Sequence, residues 1–133
     1  MRKSLTLSEI MIATIFIAVA LSGILLLFIN CMLLNAANRN STVAITHAQY
    51  IMEEVRGTDF TLIQGLVGGG HWDLDSTGLS AAPYNLAVLD NEAIDTTVTV
   101  VGNMLEIEVV VSWQDRLGRN RNEQLLTRIA DYQ

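Results

Sequence analysis

The sequence predicts an α+β fold, in which one long amino-terminal helix packs through its second half on a small antiparallel β-meander. Three observations predict this architecture. A helical pattern without proline runs from residue 5 to residue 56, apolar and polar residues alternate near the carboxyl end, and turn residues cluster between these regions. With 133 residues, the chain has room for one domain and one additional segment.

The composition is unusually apolar, because half of the residues are hydrophobic and only 17% are charged. Such a chain is too apolar for a disordered protein and unusual for a small soluble domain. The net charge is −6 and Lys3 is the only lysine, so we expect no basic surface for phosphates and no direct nucleic-acid partner. Cys31 is the only cysteine, which excludes an internal disulfide and a multi-cysteine zinc site. We expect neither a metal nor a cofactor.

The first element is an apolar segment near the amino terminus. No charged residue occurs between Glu9 and Arg39, and the stretch from Ile10 to Ile29 is almost entirely apolar. In a helix this stretch is about 30 Å long, which matches the hydrocarbon core of a bilayer. The segment is therefore predicted to span a membrane once.

The orientation of this span follows from its flanking charges. Arg2 and Lys3 precede the apolar segment, whereas Arg39 is the only basic residue close behind it. Under the positive-inside bias, the amino terminus is predicted to lie in the cytoplasm and everything after about Asn35 outside.

Three kinds of segment begin in this way: a cleaved signal peptide, a plain membrane anchor and a processed segment that stays in the product. A secretory signal has an apolar core of about 7–15 residues, so this longer core with an acid at its head does not fit. A plain anchor has no use for Glu9, because an unpaired carboxylate at the edge of the hydrocarbon costs about 2–3 kcal/mol. Glu9 is expected to have a partner; the alternative is that its carboxylate reaches into the headgroup region.

Ser22 and Gly23 interrupt the apolar run. Glycine lowers helix propensity by about 1 kcal/mol relative to alanine, and small residues permit close approach of helices. We interpret this pair as a place where the helix bends or locally melts during packing; simple close packing is the alternative.

Residues 35–57 are predicted to form the amphipathic half of the helix. Its apolar stripe recurs at helical spacing and comprises Ala44, His47, Ala48, Ile51, Met52 and Val55. Gly57 is a suitable end of the helix. The stripe is predicted to face a sheet.

Residues 58–95 are rich in turn residues, which separate short apolar runs such as Tyr84 to Leu89, and they are predicted to form a variable loop region with one or two short strands. The glycines from Gly68 to Gly70 lack the lysine and hydroxyl residue of a phosphate-binding loop. The stretch from Asp73 to Gly78 has the spacing of the start of a calcium loop, but Tyr84 takes the place of the bidentate glutamate. Neither motif predicts a binding site.

Residues 96–133 carry the strongest strand signals. Thr97 to Val101 and Met104 to Trp113 flank a Gly102–Asn103 loop, which favours a primed hairpin turn. The alternating residues of the second strand are predicted to face the helix: Leu105, Ile107, Val109, Val111 and Trp113.

A second turn is predicted at Asp115 to Gly118, and a final strand follows from about Asn122 to Ala130. Together these strands form an antiparallel meander of three or four strands. One face of the meander packs on the second half of the helix.

The isolated histidines and the cysteine do not form a catalytic pattern. His47 lies on the apolar stripe and is predicted to be packed or hydrogen-bonded, while His71 stands 24 residues away without a metal-binding spacing. Cys31 has no base near it in sequence and is predicted to behave as a small hydrophobe. No residue set supports a hydrolase, and we do not expect an enzyme.

The first thirteen residues, MRKSLTLSEIMIA, resemble the class III leader of type IV pilin-like proteins. In that family a short basic leader ends in glycine and precedes a phenylalanine-threonine-leucine-isoleucine-glutamate pattern. Here Ser4 replaces the glycine, Leu5 the phenylalanine and Ser8 an aliphatic residue, whereas Glu9 remains the fifth residue after the cut. A looser similarity to small pseudopilins and minor pilins covers residues 44–60 and the carboxyl-terminal strands.

The resemblance implies a leader peptide of residues 1–4, which a prepilin peptidase removes by cutting between Ser4 and Leu5 before the new amino group is methylated. It implies that residues 5–34 form the assembly half of the helix and that Leu5, Thr6 and Glu9 form the assembly site. In the family this glutamate pairs with the terminal amino group of a neighbouring chain and so sets the one-subunit stagger of the filament.

The function that the resemblance implies is that of a minor pilin or minor pseudopilin. Its expected partners are other pilin or pseudopilin subunits, the prepilin peptidase/methyltransferase, the inner-membrane assembly platform and the membrane. The chain is expected to cross the bacterial inner membrane once before it enters a type IV pilus, a type II secretion pseudopilus or a DNA-uptake apparatus. The rival interpretation is a signal-anchored single-pass envelope protein whose head binds a ligand or partner and never polymerises.

Overall fold

A computed structural model of the protein describes residues 6–130. The chain divides into two compact units, of which the first ends at Asn38 and the second begins at Arg39. Helix α1, Leu7–Arg56, contributes residues to both units. The predicted α+β fold, a long amino-terminal helix packed on an antiparallel sheet, is confirmed.

The first unit contains the apolar part of α1, in which every side chain from Leu7 to Leu34 is exposed. The hydroxyls of Thr14 and Ser22 donate 2.8 Å hydrogen bonds to the carbonyls of Met11 and Ala18, so both polar side chains are satisfied within the helix. The most apolar window of α1 has a mean hydropathy of 2.8 and none of it is buried. By length and composition, α1 is therefore suited to be a membrane span or a signal anchor.

In the second unit, the remainder of α1 packs on the sheet. The predicted stripe is confirmed, because all six of its members are buried: Ala44, His47, Ala48, Ile51, Met52 and Val55. Their spacing of three or four residues directs one face of the helix into the core. The helix ends at Arg56, where the N–H of Gly57 donates a 3.0 Å hydrogen bond to the carbonyl of Glu53.

The segment between α1 and the main strands contains two further helices. Helix α2 spans Phe60–Gly68, and helix α3 spans Ser76–Ser80. Strand β1, Leu74–Asp75, lies between them. The prediction that residues 58–95 form a loop region with short strands is therefore correct for β1 and wrong for the two helices.

Helix α2 shows why the loop prediction is wrong. Its glycines, Gly65 and Gly68, indicate a turn on propensity alone. Ile63 and Val67 are four residues apart and both buried, so tertiary burial stabilises the helix. Asp59 caps its first turn, because its Oδ1 accepts a 3.0 Å hydrogen bond from the N–H of the second helical residue.

The apolar run from Tyr84 to Leu89 is not one of the short strands of this region. Its residues have no strand structure, and they do not join the sheet. Leu86 and Leu89 nevertheless pack against the core. The apolar pattern of this segment therefore reflects burial and not strand pairing.

The predicted meander is confirmed as a four-stranded antiparallel sheet in the order β1-β2-β3-β4. Strand β2 spans Ala93–Val101, β3 spans Met104–Gln114 and β4 spans Asn120–Ala130. Strand β2 begins before the predicted Thr97, and β4 begins before the predicted Asn122.

The β2–β3 connection is the predicted two-residue hairpin, with Val101 opposite Met104 and a φ of 63° at Gly102. The predicted inward residues of β3 are all buried: Leu105, Ile107, Val109, Val111 and Trp113. Glu106 and Glu108 alternate with them and remain partly exposed. The core therefore lies between this face of the sheet and the helices.

Candidate assembly site

The candidate assembly site lies at the start of α1, where Thr6 and Glu9 are in direct contact. The backbone N–H of Thr6 donates a 2.8 Å hydrogen bond to Oε2 of Glu9, and the Thr6 hydroxyl donates one of 2.9 Å to the same oxygen. In return, the backbone N–H of Glu9 donates to the Thr6 hydroxyl oxygen at 3.4 Å. This reciprocal arrangement is a capping box, which satisfies amide groups that the first turn of a helix leaves unpaired.

A signal for this cap is present in the sequence, although the predictions above did not include it. Thr6 and Glu9 are three residues apart directly before an apolar run, which is the spacing of a capping box. Glu9 therefore has a partner within its own chain, where the sequence predicted a partner in a neighbouring chain or a position among headgroups.

Among residues 6–130, one carboxylate oxygen of Glu9 has no partner. Both bonds from Thr6 use Oε2, and no hydrogen bond or ion pair within residues 6–130 reaches Oε1. A carboxylate held on one side and open on the other can accept a charged donor from a second molecule. In surroundings of low dielectric constant, that attraction is stronger than in water.

The other predicted site residues are placed as follows. Ser4 and Leu5 lie outside the described residues, so Thr6 and Glu9 are the members of the predicted site that the structure brings together. Ser22 and Gly23 lie in an uninterrupted part of α1. A Cβ added to Gly23 would meet nothing within 4 Å, which leaves its surface open to a neighbouring helix. Bending during packing stays a prediction.

His47 belongs to a buried polar pair in the second unit and not to an open site. Its Nδ1 lies 2.6 Å from Oε1 of Glu92, and both residues are less than 5% exposed. The N–H of Leu89 donates a 2.7 Å hydrogen bond to the second oxygen of Glu92. The pair thus joins α1 to the segment before β2, and its role is structural.

Several other titratable side chains also have structural partners. Nε2 of His71 lies 4.0 Å from Oε1 of Glu54. Burial, followed by the nearby Glu54 carboxylate, raises the pKa of Tyr84. Asp73 accepts a 2.8 Å hydrogen bond from the N–H of Thr96. Among residues 6–130, no three histidine, cysteine or acidic side chains are grouped as metal ligands.

A groove of about 440 Å³ lies between α2 and the β2–β3 hairpin. Phe60, Val100, Met104 and Leu105 contribute apolar surface to it, and Gln64 also lines it. None of the described side chains that line the groove is ionisable, so they supply no acid, base or nucleophile for catalysis.

The chain was compared with protein-family models, with curated proteins and with solved structures, and none of them matches it. The structure itself defines the class: an α+β protein in which one long helix begins with an exposed apolar stretch of membrane-spanning length and ends against a four-stranded sheet.

Proposed function

We propose that the chain is a type IV pilin-like structural subunit, a minor pilin or minor pseudopilin, which assembles through the apolar part of α1 into a type IV pilus or a type II secretion pseudopilus. One observation carries the proposal. The helix from Leu7 to Leu34 exposes a predominantly apolar surface and has a single acid, Glu9, at its head. This surface faces lipid in a single molecule, and in a filament the same surface packs against other copies.

Processing precedes assembly in this proposal. The chain crosses the bacterial inner membrane once, with its amino terminus in the cytoplasm and its head outside. A prepilin peptidase/methyltransferase cuts between Ser4 and Leu5 and methylates the new amino group of Leu5. An inner-membrane assembly platform then adds the subunit to the filament.

The charge pair that sets the register uses Glu9. The terminal ammonium of a neighbouring subunit approaches Oε1, while Thr6 holds the carboxylate through Oε2. Removing either charge from such a pair in a low-dielectric environment leaves the other uncompensated, at a cost of about 3–5 kcal/mol. Assembly is thus sensitive to the charge of Glu9 and less sensitive to its cap.

A second function is favoured by the capping box. Because Thr6 already satisfies Glu9 within the chain, the acid has a structural role in a protein that never polymerises. The alternative is therefore a signal-anchored single-pass envelope protein whose head binds a ligand or partner.

Two substitutions separate the roles of Glu9. Glutamine serves at this position of a capping box, so Glu9→Gln keeps the cap and removes only the charge. Thr6→Val removes the capping hydroxyl and keeps the charge. A subunit that needs the charge pair is expected to lose at least about tenfold in filament incorporation with Glu9→Gln, and far less with Thr6→Val. The measurement is the amount of each variant in sheared filaments relative to the amount in membranes.

Incorporation of the Glu9→Gln variant at the original level would contradict the pairing and favour the anchor. Mass measurement of the purified protein provides an independent test. The proposal expects a chain that begins at a methylated Leu5, whereas an intact Met1 in functional protein would exclude it.

A further inference from the structure

The β3–β4 turn concentrates positive charge on an otherwise acidic unit. Residues 39–133 contain six arginines against thirteen acidic residues. Three of these arginines occur within six residues, because Arg116 and Arg119 lie in the turn and Arg121 is the second residue of β4. The only acid beside them in the turn is Asp115. The turn is therefore positive, although the unit as a whole is strongly negative.

Asp115 organises the turn from within. Its Oδ1 accepts hydrogen bonds from the N–H groups of Leu117 at 2.9 Å and Arg119 at 3.0 Å. Its Oδ2 lies 2.8 Å from Nε of Arg119 and 3.4 Å from Nε of Arg121. The bonds from Arg119 and Leu117, led by the one from the backbone of Arg119, lower the pKa of Asp115 to about 2.

The carboxylate is shielded while the guanidinium groups are not. The side chain of Asp115 is 15% exposed, compared with 59% for Arg119 and 50% for Arg121. Each guanidinium bonds Asp115 through Nε, which leaves its terminal N–H groups for a second acceptor. The positive charges of the turn therefore dominate its outer surface.

Arg116 and Leu117 form the tip of the turn. Arg116 is exposed and makes no ion pair with another described residue, and the side chain of Leu117 is 64% exposed. Gly118, with a φ of 72°, closes the turn through a 2.8 Å hydrogen bond from its N–H to the carbonyl of Asp115. A rigid turn thus presents one apolar side chain between arginines.

We propose that the β3–β4 turn docks on an anionic lipid surface, where its arginines bind headgroup phosphates and Leu117 enters the interface. Arginine matches phosphate with paired N–H donors, and its attraction to an anionic leaflet increases with each added charge. Transfer of the exposed Leu117 side chain from water into the interface is favourable, because it removes apolar surface from water. Because Asp115 already orders the turn, docking loses little conformational entropy. This inference requires that α1 anchors the chain in a bilayer, and it does not require polymerisation.

The test uses the full chain with Cys31→Ser, so that a nitroxide label can be placed at one chosen cysteine. Leu117→Cys carries the label at the tip, and Asn103→Cys carries it on the exposed β2–β3 turn as a control. The proteins are reconstituted in vesicles of phosphatidylcholine with or without phosphatidylglycerol. Resistance of the protein to alkaline extraction verifies the anchor independently. The readout is the accessibility of the label to a water-soluble paramagnetic relaxant on both sides of the bilayer.

The tip label is expected to be at least about threefold less accessible in the anionic vesicles, and this protection is expected to disappear at about 0.5 M salt. The label at Asn103→Cys is expected to be equally accessible in both lipids. The accessibility of the tip label gives the ratio of docked to free turn. Arg116→Gln is expected to reduce this ratio about fivefold, since it removes a positive charge that forms no ion pair with another described residue. Arg128→Gln removes the same charge from an exposed pair with Glu106 and is expected to leave the ratio unchanged.

Equal accessibility of the tip label in the two lipids would overturn the proposal. So would protection that increases with protein density and vanishes when lipid dilutes the protein, because that result would assign the turn to contact with a second copy. An equal effect of Arg128→Gln and Arg116→Gln would also overturn it, by showing that only the overall charge matters.

Discussion

At the scale of single residues, the contact between His47 and Glu92 is a buried polar interaction in the second unit. The two residues are 45 positions apart in sequence and are joined by a contact of 2.6 Å. Glu92 uses one oxygen for His47 and the other for the backbone N–H of Leu89, so each oxygen of its carboxylate has a partner. Such a network stabilises a fold only while all its members are present.

Removing Glu92 is therefore expected to destabilise the second unit. Glu92→Ala leaves His47 buried without its partner and is expected to lower the free energy of unfolding by about 3–5 kcal/mol. The measurement is urea unfolding in detergent, monitored by the fluorescence of the buried Trp72 and Trp113. Glu106→Gln, which alters an exposed pair with Arg128, is the control and is expected to cost less than about 1 kcal/mol. Similar losses from both changes would contradict the structural role.

Asp115 predicts a pH dependence of stability. Its pKa in the folded protein, about 2, lies below the ordinary value of 3.8, so ionisation stabilises the folded state. This contribution is fully present above about pH 4 and is lost as the pH falls through about 2. In Asp115→Asn, the unfolding midpoint is expected to be lower than that of the original protein at pH 6 and to approach it at about pH 2. A constant difference across this range, or the same behaviour in the exposed control Asp95→Asn, would contradict the assignment.

At the scale of secondary-structure elements, the spacing of apolar residues correctly predicted which faces of α1 and β3 are buried. The buried stripe of α1 and the inward residues of β3 were both predicted from spacing alone, because one helix face and one strand face meet a single core. Helix α2 was not predicted, because glycines at Gly65 and Gly68 weaken the helical pattern and burial of its apolar face decides the conformation. The start of β2 at Ala93 likewise depends on pairing with β3.

The cap of α2 provides a test of this element. Asp59→Ala removes the acceptor for the N–H of Thr61 and is expected to destabilise α2 by about 1 kcal/mol. Asp59→Asn keeps a capping oxygen and is expected to remain close to the original protein. Amide hydrogen exchange within Phe60–Gly68 is the measurement. If the alanine and asparagine variants exchange equally fast, the cap does not stabilise the helix.

At the scale of the whole molecule, the two units differ in what they bury. Every described buried hydrophobic residue lies in the second unit, from Ala44 to Trp113, whereas the apolar side chains from Leu7 to Leu34 are exposed. The first unit therefore requires lipid or other helices around it. The second unit has a core of its own.

A fragment of residues 39–133 is consequently expected to fold without the first unit. Circular dichroism is expected to show helix and strand, and urea unfolding is expected to be a single transition with a midpoint close to that of the second unit in the full chain in detergent. The physical reason is that the fragment retains all the buried side chains that form the core. A broad, non-cooperative transition would contradict this division of the chain.

The net charge of the chain does not predict the local charge at the β3–β4 turn. A net charge of −6 predicted the absence of a basic surface, yet Arg116, Arg119 and Arg121 occur within six residues at the β3–β4 turn, and two of them contact Asp115. The net charge sums all ionisable residues of the chain, whatever region of the surface they occupy. Local charge depends on which residues a turn holds together and which acid they shield.

The sequence by itself determined the apolar stretch of α1, the stripe from Ala44 to Val55, the β2–β3 hairpin and the alternation of β3, because each depends on spacing between neighbours in the chain. Only the tertiary structure decided the helical state of α2 and the burial of Glu92 against His47. These features depend on contacts between segments that are distant in sequence. Such contacts stabilise the chain only once the core has formed, so local residue spacing does not predict them.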